Sequence, residues 1–301
     1  MEIISVSPRG YCQGVVKAIM TAQKTVKENP NERVSMLGMI VHNKHVVKAC
    51  KDLGIYTLEA KGKTRLELLD EIDEGIVIFT AHGVSDDVYK KAKEKGLKVV
   101  DATCKDVAKT HDLVRNHVKN GDVIYIGKPH HPEAEGVVGL SNRVHLVSKL
   151  EDLNNLPDLT NVLITTQTTL SLLDTKDLIE ACIKAYPDAT NAPEICNATT
   201  IRQMAVMDLE NIDVLIVVGD PHSNNSNQLK EIGLNAGIKH CYLIDDVTYL
   251  KEDMIKGADR IAVTSGSSTP TILTNQVISF LKEYATSNKF ELPTTISNQI
   301  L

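Results

Sequence analysis

Cys12, Cys104 and Cys196 are separated by 92 residues each time. A thiolate is both a nucleophile and a soft metal ligand, and each of these thiols sits where a polar turn runs into a helical pattern. The three stretches are "IISVSPRGYCQGVVKAIMTAQ", "LKVVDATCKDVAKTHDLV" and "NAPEICNATTIRQMAVMDL". The positive end of a helix favours a thiolate. In the second stretch Thr103 is the expected N-cap, with Val107, His111 and Val114 following at helical spacing. Three thiolates leave a tetrahedral set one ligand short. That suits a metal centre that reacts, either an iron–sulfur cluster with one iron not held by cysteine or a catalytic zinc. The structural alternative is three core cysteines at equivalent positions, since cysteine is among the most buried residues. Cys50, Cys182 and Cys241 have no equivalents of this kind and read as buried thiols.

Polar residues recur behind each cysteine. His42, His131 and Asn224 follow theirs by 30, 27 and 28 residues, and His82, Thr168 and Ser268 by 70, 64 and 72. The last third also offers Ser223 and Asn225 in "HSNNSN". Imidazoles, hydroxyls, amides and the free N–H groups of helix starts are together the donors that an anion needs. A diphosphate fits the set, whereas a nucleotide is disfavoured because neither a Walker A sequence nor G-x-G-x-x-G is present. If charged imidazoles hold the anion, affinity weakens above roughly pH 7. Glu133 lies two residues beyond His131 in "HHPEAEG". A carboxyl in that loop could act as a general acid, with Thr168 relaying its proton.

The elements that must position these residues repeat three times. Each third reads strand, cysteine, helix, then two further strand–loop–helix units. Apolar strands that alternate with helical stretches specify a small α/β unit with a mainly parallel sheet. The expected subdomains are 13–103, 104–195 and 196–285, with the N-terminal strand 1–12 joining the central assembly and a tail over 286–301. In such sheets, ligands bind beyond the carboxyl ends of the strands. Three pseudo-threefold-related subdomains would turn their loops to one central site.

Composition narrows the classes. The 301 residues are 42% hydrophobic and 24% charged, with a net charge of −6, so no basic field attracts nucleic acid or a membrane surface. Trp is absent, and eight Tyr and three Phe leave few platforms for stacking bases. "MEIISVSPRG" lacks the apolar stretch of a signal peptide, and runs such as "VLIVV" are far short of a membrane span. A cytoplasmic protein with reduced cysteines is expected.

Taken in order, "PRGYCQGV", "VHNKHVV", "AHGVS", "DATC", "HPEAEG", "TQTTLS", "CNATTIRQ", "NSNQL" and "SGSSTP" closely resemble the IspH (LytB) family of 4-hydroxy-3-methylbut-2-enyl diphosphate reductases. The matching stretches run from residue 8 to about residue 273. The resemblance implies an iron–sulfur oxidoreductase of the non-mevalonate (MEP/DOXP) isoprenoid pathway. It would reductively dehydroxylate an allylic diphosphate to isopentenyl and dimethylallyl diphosphate. It further implies one 4Fe–4S cluster on Cys12, Cys104 and Cys196, with an open fourth iron. His42, His82, His131, Ser223, Asn224, Asn225 and Ser268 would hold the diphosphate. Glu133 and Thr168, with His131 nearby, would deliver protons. A ferredoxin or flavodoxin would supply electrons. Two departures stand out. Lys105 follows Cys104 where the family often has proline, and Asn224 stands where it often has serine, though an asparagine still donates a hydrogen bond. The competing readings are a zinc-dependent phosphate-ester hydrolase, which would be colourless and need no reductant, and an iron–sulfur redox sensor, which would need no diphosphate pocket.

Overall fold

Parallel strands cannot be joined by tight hairpins, so each must be followed by a connection that crosses back over the sheet. The computed structural model describes residues 1–296 and 300; residues 297–299 and 301 of the expected tail lie outside the described part. In chain order the elements are β1 (Glu2–Ser5), α1 (Gln13–Glu28), β2 (Val34–Leu37), α2 (Lys44–Asp52), β3 (Tyr56–Leu58), α3 (Arg65–Leu68), β4 (Ile76–Phe79), α4 (Asp86–Glu94) and β5 (Lys98–Asp101). There follow α5 (Lys105–His117), β6 (Val123–Ile126), α6 (Pro132–Val138), β7 (Val144–Val147), β8 (Leu163–Thr166), α7 (Leu172–Ala185) and β9 (Thr190–Asn191). The last are α8 (Asn197–Met207), β10 (Val214–Val218), α9 (Asn224–Asn235), β11 (His240–Ile244), β12 (Arg260–Ser265) and α10 (Thr271–Ser287).

Among the described residues these strands form three four-stranded sheets, ordered β3-β2-β4-β5, β7-β6-β8-β9 and β1-β12-β10-β11. Every strand pairing is parallel. The three parallel α/β sheets read from the sequence are therefore present. Central strands are buried on both faces, which is why β4, β6 and β10 read as the unbroken runs "IVIF", "VIYI" and "VLIVV". Edge strands β1 ("EIIS") and β5 ("KVVD") keep charged ends exposed.

The chain forms two compact units. One comprises Met1–Gln13, His42–Ala49 and the chain from Asn197 onward, and it contains the sheet β1-β12-β10-β11. Its core packs Leu215, Val217 and Ala262 against Leu229 and Ile232 of α9. The other comprises Gly14–Val41 and Cys50–Cys196, with the remaining two sheets. Within it, Ile124 and Ile126 face Leu178 and Cys182 of α7, while Val123 and Tyr125 face Val114 of α5 and Ala134 and Val137 of α6. Each large apolar side chain buried in this way contributes about 1.5–3 kcal/mol relative to exposure.

One regularity of the topology places the chemistry. In every sheet the strand order reverses between the two central strands, which opens a crevice at their carboxyl ends. The loops leaving those strands carry His42 after β2, His82 after β4, His131 and Glu133 after β6, and Thr168 after β8. Ser223–Asn225 follow β10 and Ser268 follows β12. The three evenly spaced cysteines follow the edge strands β1, β5 and β9 instead.

Candidate active site

In the larger unit the crevice between β6 and β8 is built around a carboxyl. Pro132 opens α6, its fixed φ being suited to the first helical position, and puts Glu133 in the first turn with only 1% of its surface exposed. Glu133 Oε1 accepts the Thr168 N–H at 2.7 Å, and Oε2 accepts the Thr168 hydroxyl at 2.9 Å. The Tyr125 hydroxyl lies 3.4 Å from Oε1. Burial pushes the Glu133 carboxyl up to about 7, against the bonds from Thr168 and Tyr125, which favour the ionised form. An early-helix carboxylate is ordinarily solvated; this one is not, because the β8–α7 loop closes over it.

His131 is the N-cap of α6 and its Nδ1 accepts the Glu133 N–H at 3.2 Å. A neutral ring in that arrangement carries its hydrogen on Nε2. The His82 ring meets it edge-on, centroids 5.7 Å apart. Behind them Gly83 takes φ +73°, and a Cβ there would lie 3.1 Å from His111 Nε2. His111, on α5, is buried and pushed down to about 4, so it packs as a neutral ring between the His82 loop and Gly136 of α6.

Two of the three spaced cysteines belong to this unit. Cys104 N–H bonds to Ala81 O at 3.0 Å, next to His82, and Cys196 N–H bonds to Thr168 O at 3.1 Å. The expected cap of α5 needs correcting: the N-cap is Cys104 itself, not Thr103. Asp101 Oδ1 accepts the Thr103 N–H at 2.8 Å, and this side-chain turn delays the helix by one residue.

The smaller unit holds a different set. Ser223 caps α9, its Oγ accepting the Ser226 N–H at 3.3 Å. Ser223 Oγ lies 3.3 Å from Ser268 Oγ, and Ser268 Oγ donates to His42 O at 3.2 Å. Asn225 Oδ1 accepts the Ser267 N–H at 2.9 Å, while its Nδ2 is buried with no partner among the described residues. Asn224 is buried beside it at the start of α9. Cys12 N–H donates to Ser267 O at 3.0 Å, so the cysteine turn is tied to the loop that bears Ser268. Arg202 of α8 steadies the same turn through Gly10 O at 2.8 Å. The His42 segment is pinned by acids: Lys44 N–H to Asp220 at 2.9 Å, and Lys44 Nζ to Asp245 at 2.7 Å.

The family model described as LytB protein matches residues 3–282. The chain belongs to the LytB protein family. This LytB protein is 50% identical over 289 residues to the 4-hydroxy-3-methylbut-2-enyl diphosphate reductase of Brevibacillus brevis, covering 94% of this chain and 92% of that one. It is 48% identical over 293 residues to the enzyme of the same name from Bacillus thuringiensis, at 96% and 92% coverage. Among solved structures, the E-1-hydroxy-2-methyl-but-2-enyl-4-diphosphate reductase of Plasmodium falciparum matches with a TM-score of 0.87 at 29% identity, covering 98% of this chain and 94% of that one. A structure of (E)-4-hydroxy-3-methyl-but-2-enyl diphosphate reductase matches with a TM-score of 0.64, also at 29% identity, over 94% and 100%.

The thiols of this LytB protein fall into two classes. Cys50, Cys182 and Cys241 are buried, and burial pushes each up to about 11, which disfavours a thiolate. Cys12, Cys104 and Cys196 are half-buried at helix starts, and none of the six is in a disulfide. The second class is the donor set that a thiolate-held cluster needs. Among the described residues no three His, Cys, Asp or Glu are gathered closely enough to hold a single metal ion. No described helix is long and apolar enough to cross a membrane.

Sequence reasoning missed two buried residues of the acid crevice. Gln167 accepts the Lys128 N–H at 3.0 Å and so ties the loop after β6 to the loop after β8. Its place inside "TQTTLS" was the available signal. Tyr125 looked like an ordinary strand aromatic, and nothing in its pattern announced a polar partner.

Proposed function

We propose that the chain is an iron–sulfur 4-hydroxy-3-methylbut-2-enyl diphosphate reductase. Its reaction takes (E)-4-hydroxy-3-methylbut-2-enyl diphosphate, two electrons and two protons to isopentenyl or dimethylallyl diphosphate and water. Membership of the LytB family supports this reading. The observation that carries it is the buried Glu133 carboxyl, near-neutral in pKa and bonded to Thr168, one hydrogen bond away from Cys196.

Cys12, Cys104 and Cys196 would hold a 4Fe–4S cluster with one iron open. Bound there, the cluster supplies electrons one at a time and a Lewis-acidic position for the departing hydroxyl. The residues of the chain do the rest. Ser223, Asn224, Asn225 and Ser268 bind the diphosphate with neutral donors, the unpartnered Asn225 Nδ2 being one that an anion would satisfy. The family resemblance implies that His42, His82 and His131 would add imidazole donors for the same anion. Fixing the diphosphate orients the allyl group, so that bond cleavage need not wait for a chance encounter. Glu133, whose burial keeps a protonated fraction at neutral pH, gives its proton through the Thr168 hydroxyl to the leaving oxygen, which departs as water. A ferredoxin- or flavodoxin-type protein in the cytoplasm would serve as the electron source.

The test is anaerobic purification with iron and sulfide, followed by Mössbauer spectra with and without the hydroxylated diphosphate. One iron distinct from three, and shifted by substrate, is the expected result. A colourless protein that binds zinc would overturn the reading.

A further inference from the structure

We infer that Tyr125 is a positioning residue that fixes which oxygen of Glu133 carries the acid proton, holding it on Oε2 where the Thr168 hydroxyl can take it. This rests on the reading of Glu133 as the acid.

The hydrogen-bond inventory around the carboxyl is asymmetric. Oε1 faces two donors, the Thr168 N–H at 2.7 Å and the Tyr125 hydroxyl at 3.4 Å. An amide N–H can only donate. The phenol is fully buried, and burial together with Glu133 keeps its pKa well above 10, so it holds its hydrogen throughout the physiological range. Oε2 faces the Thr168 hydroxyl at 2.9 Å, a group able to donate or accept. A proton placed on Oε1 would crowd the Thr168 N–H, which cannot accept it, and would force the Tyr125 hydroxyl to turn its own hydrogen away and give up the bond it donates. A proton placed on Oε2 meets a lone pair, and the hydroxyl that accepts it can release its own hydrogen onward. The contact from Tyr125 is long for a hydroxyl bond, so it is the weaker donor on Oε1 and its effect is graded.

The ring is held in place by fold rather than by chance. Tyr125 lies on central strand β6 and packs on α5 and α6. A Cβ on Gly127 would come within 2.8 Å of ring atom Cε1, so a residue with a side chain there would crowd the phenol. Titratable groups on the elements around Glu133 include Glu135 on the same helix turn, bonded to the Arg65 N–H, His131 at the start of α6, His82 against its ring, and His111 of α5 against Gly136. None of these is altered by removing one phenolic oxygen.

The experiment uses holoenzyme prepared anaerobically as wild type, Tyr125→Phe, Thr168→Val and Glu133→Gln. The infrared carbonyl stretch of the protonated carboxyl is followed against pH and assigned by its loss in Glu133→Gln. Losing a donor on the carbonyl oxygen raises that stretch in Tyr125→Phe. Because the phenol favours the ionised form, its loss also raises the Glu133 pKa, so the band and the high-pH limb of kcat both move to higher pH. In Thr168→Val, Oε1 keeps both donors and the stretch stays near its wild-type position. An unmoved stretch and limb in Tyr125→Phe, or an equal upward shift in Thr168→Val, would overturn the inference. Near-normal turnover in Glu133→Gln would instead sink the acid assignment, while the band positions would still report where the proton sits.

Discussion

The crevice between β6 and β8 and the crevice between β10 and β12 occupy the same position in their sheets and carry opposite chemistry. In the first, the α6 turn and the β8–α7 loop enclose a carboxyl whose pKa is pushed up to about 7. In the second, the start of α9 and the loop after β12 present hydroxyls and amides, with Asn225 Nδ2 buried and without a partner among the described residues. One crevice buries a titratable carboxyl, and the other, among the described residues, leaves a buried donor without an acceptor. The difference shows that a parallel α/β frame decides where polar side chains gather, and that the loop residues decide whether the place encloses a carboxyl or presents neutral donors.

The sharpest break of this comparison is Glu133→Gln. Turnover is expected to fall about 10²–10⁴-fold, with KM for the hydroxylated diphosphate changed little, as steady-state kinetics with a chemical reductant would show. A matching rise in KM would mean that the carboxyl crevice also binds the anion, and the division of labour would collapse.

The same variant has a second, pH-dependent signature. The folded-state pKa of Glu133 is raised to about 7 from an ordinary value near 4.5. Its favourable contribution is therefore whole below about pH 4.5 and is lost as pH rises through 7, where the fold must hold a buried carboxylate. Glu133→Gln should be more stable than wild type at pH 8, by a few kcal/mol. The gap should shrink below pH 5, as denaturant unfolding of the two proteins at both pH values would show. No pH dependence in the gap would mean that the carboxyl is ordinary and solvated.

The smallest of these effects sharpens the other side. Asn225→Ala removes one neutral donor and should raise KM roughly ten- to a hundredfold, the range for a hydrogen bond to a charged group, with kcat within a few-fold of wild type. A collapse of kcat at unchanged KM would move Asn225 out of the binding crevice and into the chemistry.

Much of this was legible in the sequence. The 92-residue spacing marked the cysteine turns, and unbroken runs such as "VLIVV" marked central parallel strands, because burial on both faces removes the polar alternation. Loops between strand and helix had to lie at the carboxyl edge, so His42, His82, His131, Thr168, Ser223 and Ser268 could be placed there from order alone. Other features depend on which strands become neighbours. Glu133 and Thr168 are 35 residues apart, and only the pairing of β6 with β8 brings their loops together. Tyr125 reads as one more core aromatic until α6 folds back over β6 and sets a carboxyl against its hydroxyl. Burial raises the Glu133 pKa, and burial belongs to the packed whole rather than to the local chain. The sequence by itself determined the repeating frame, the cysteine turns and the family. Only the tertiary structure decided which carboxyl would be buried, which hydroxyls would meet it, and hence which crevice could keep a proton at neutral pH.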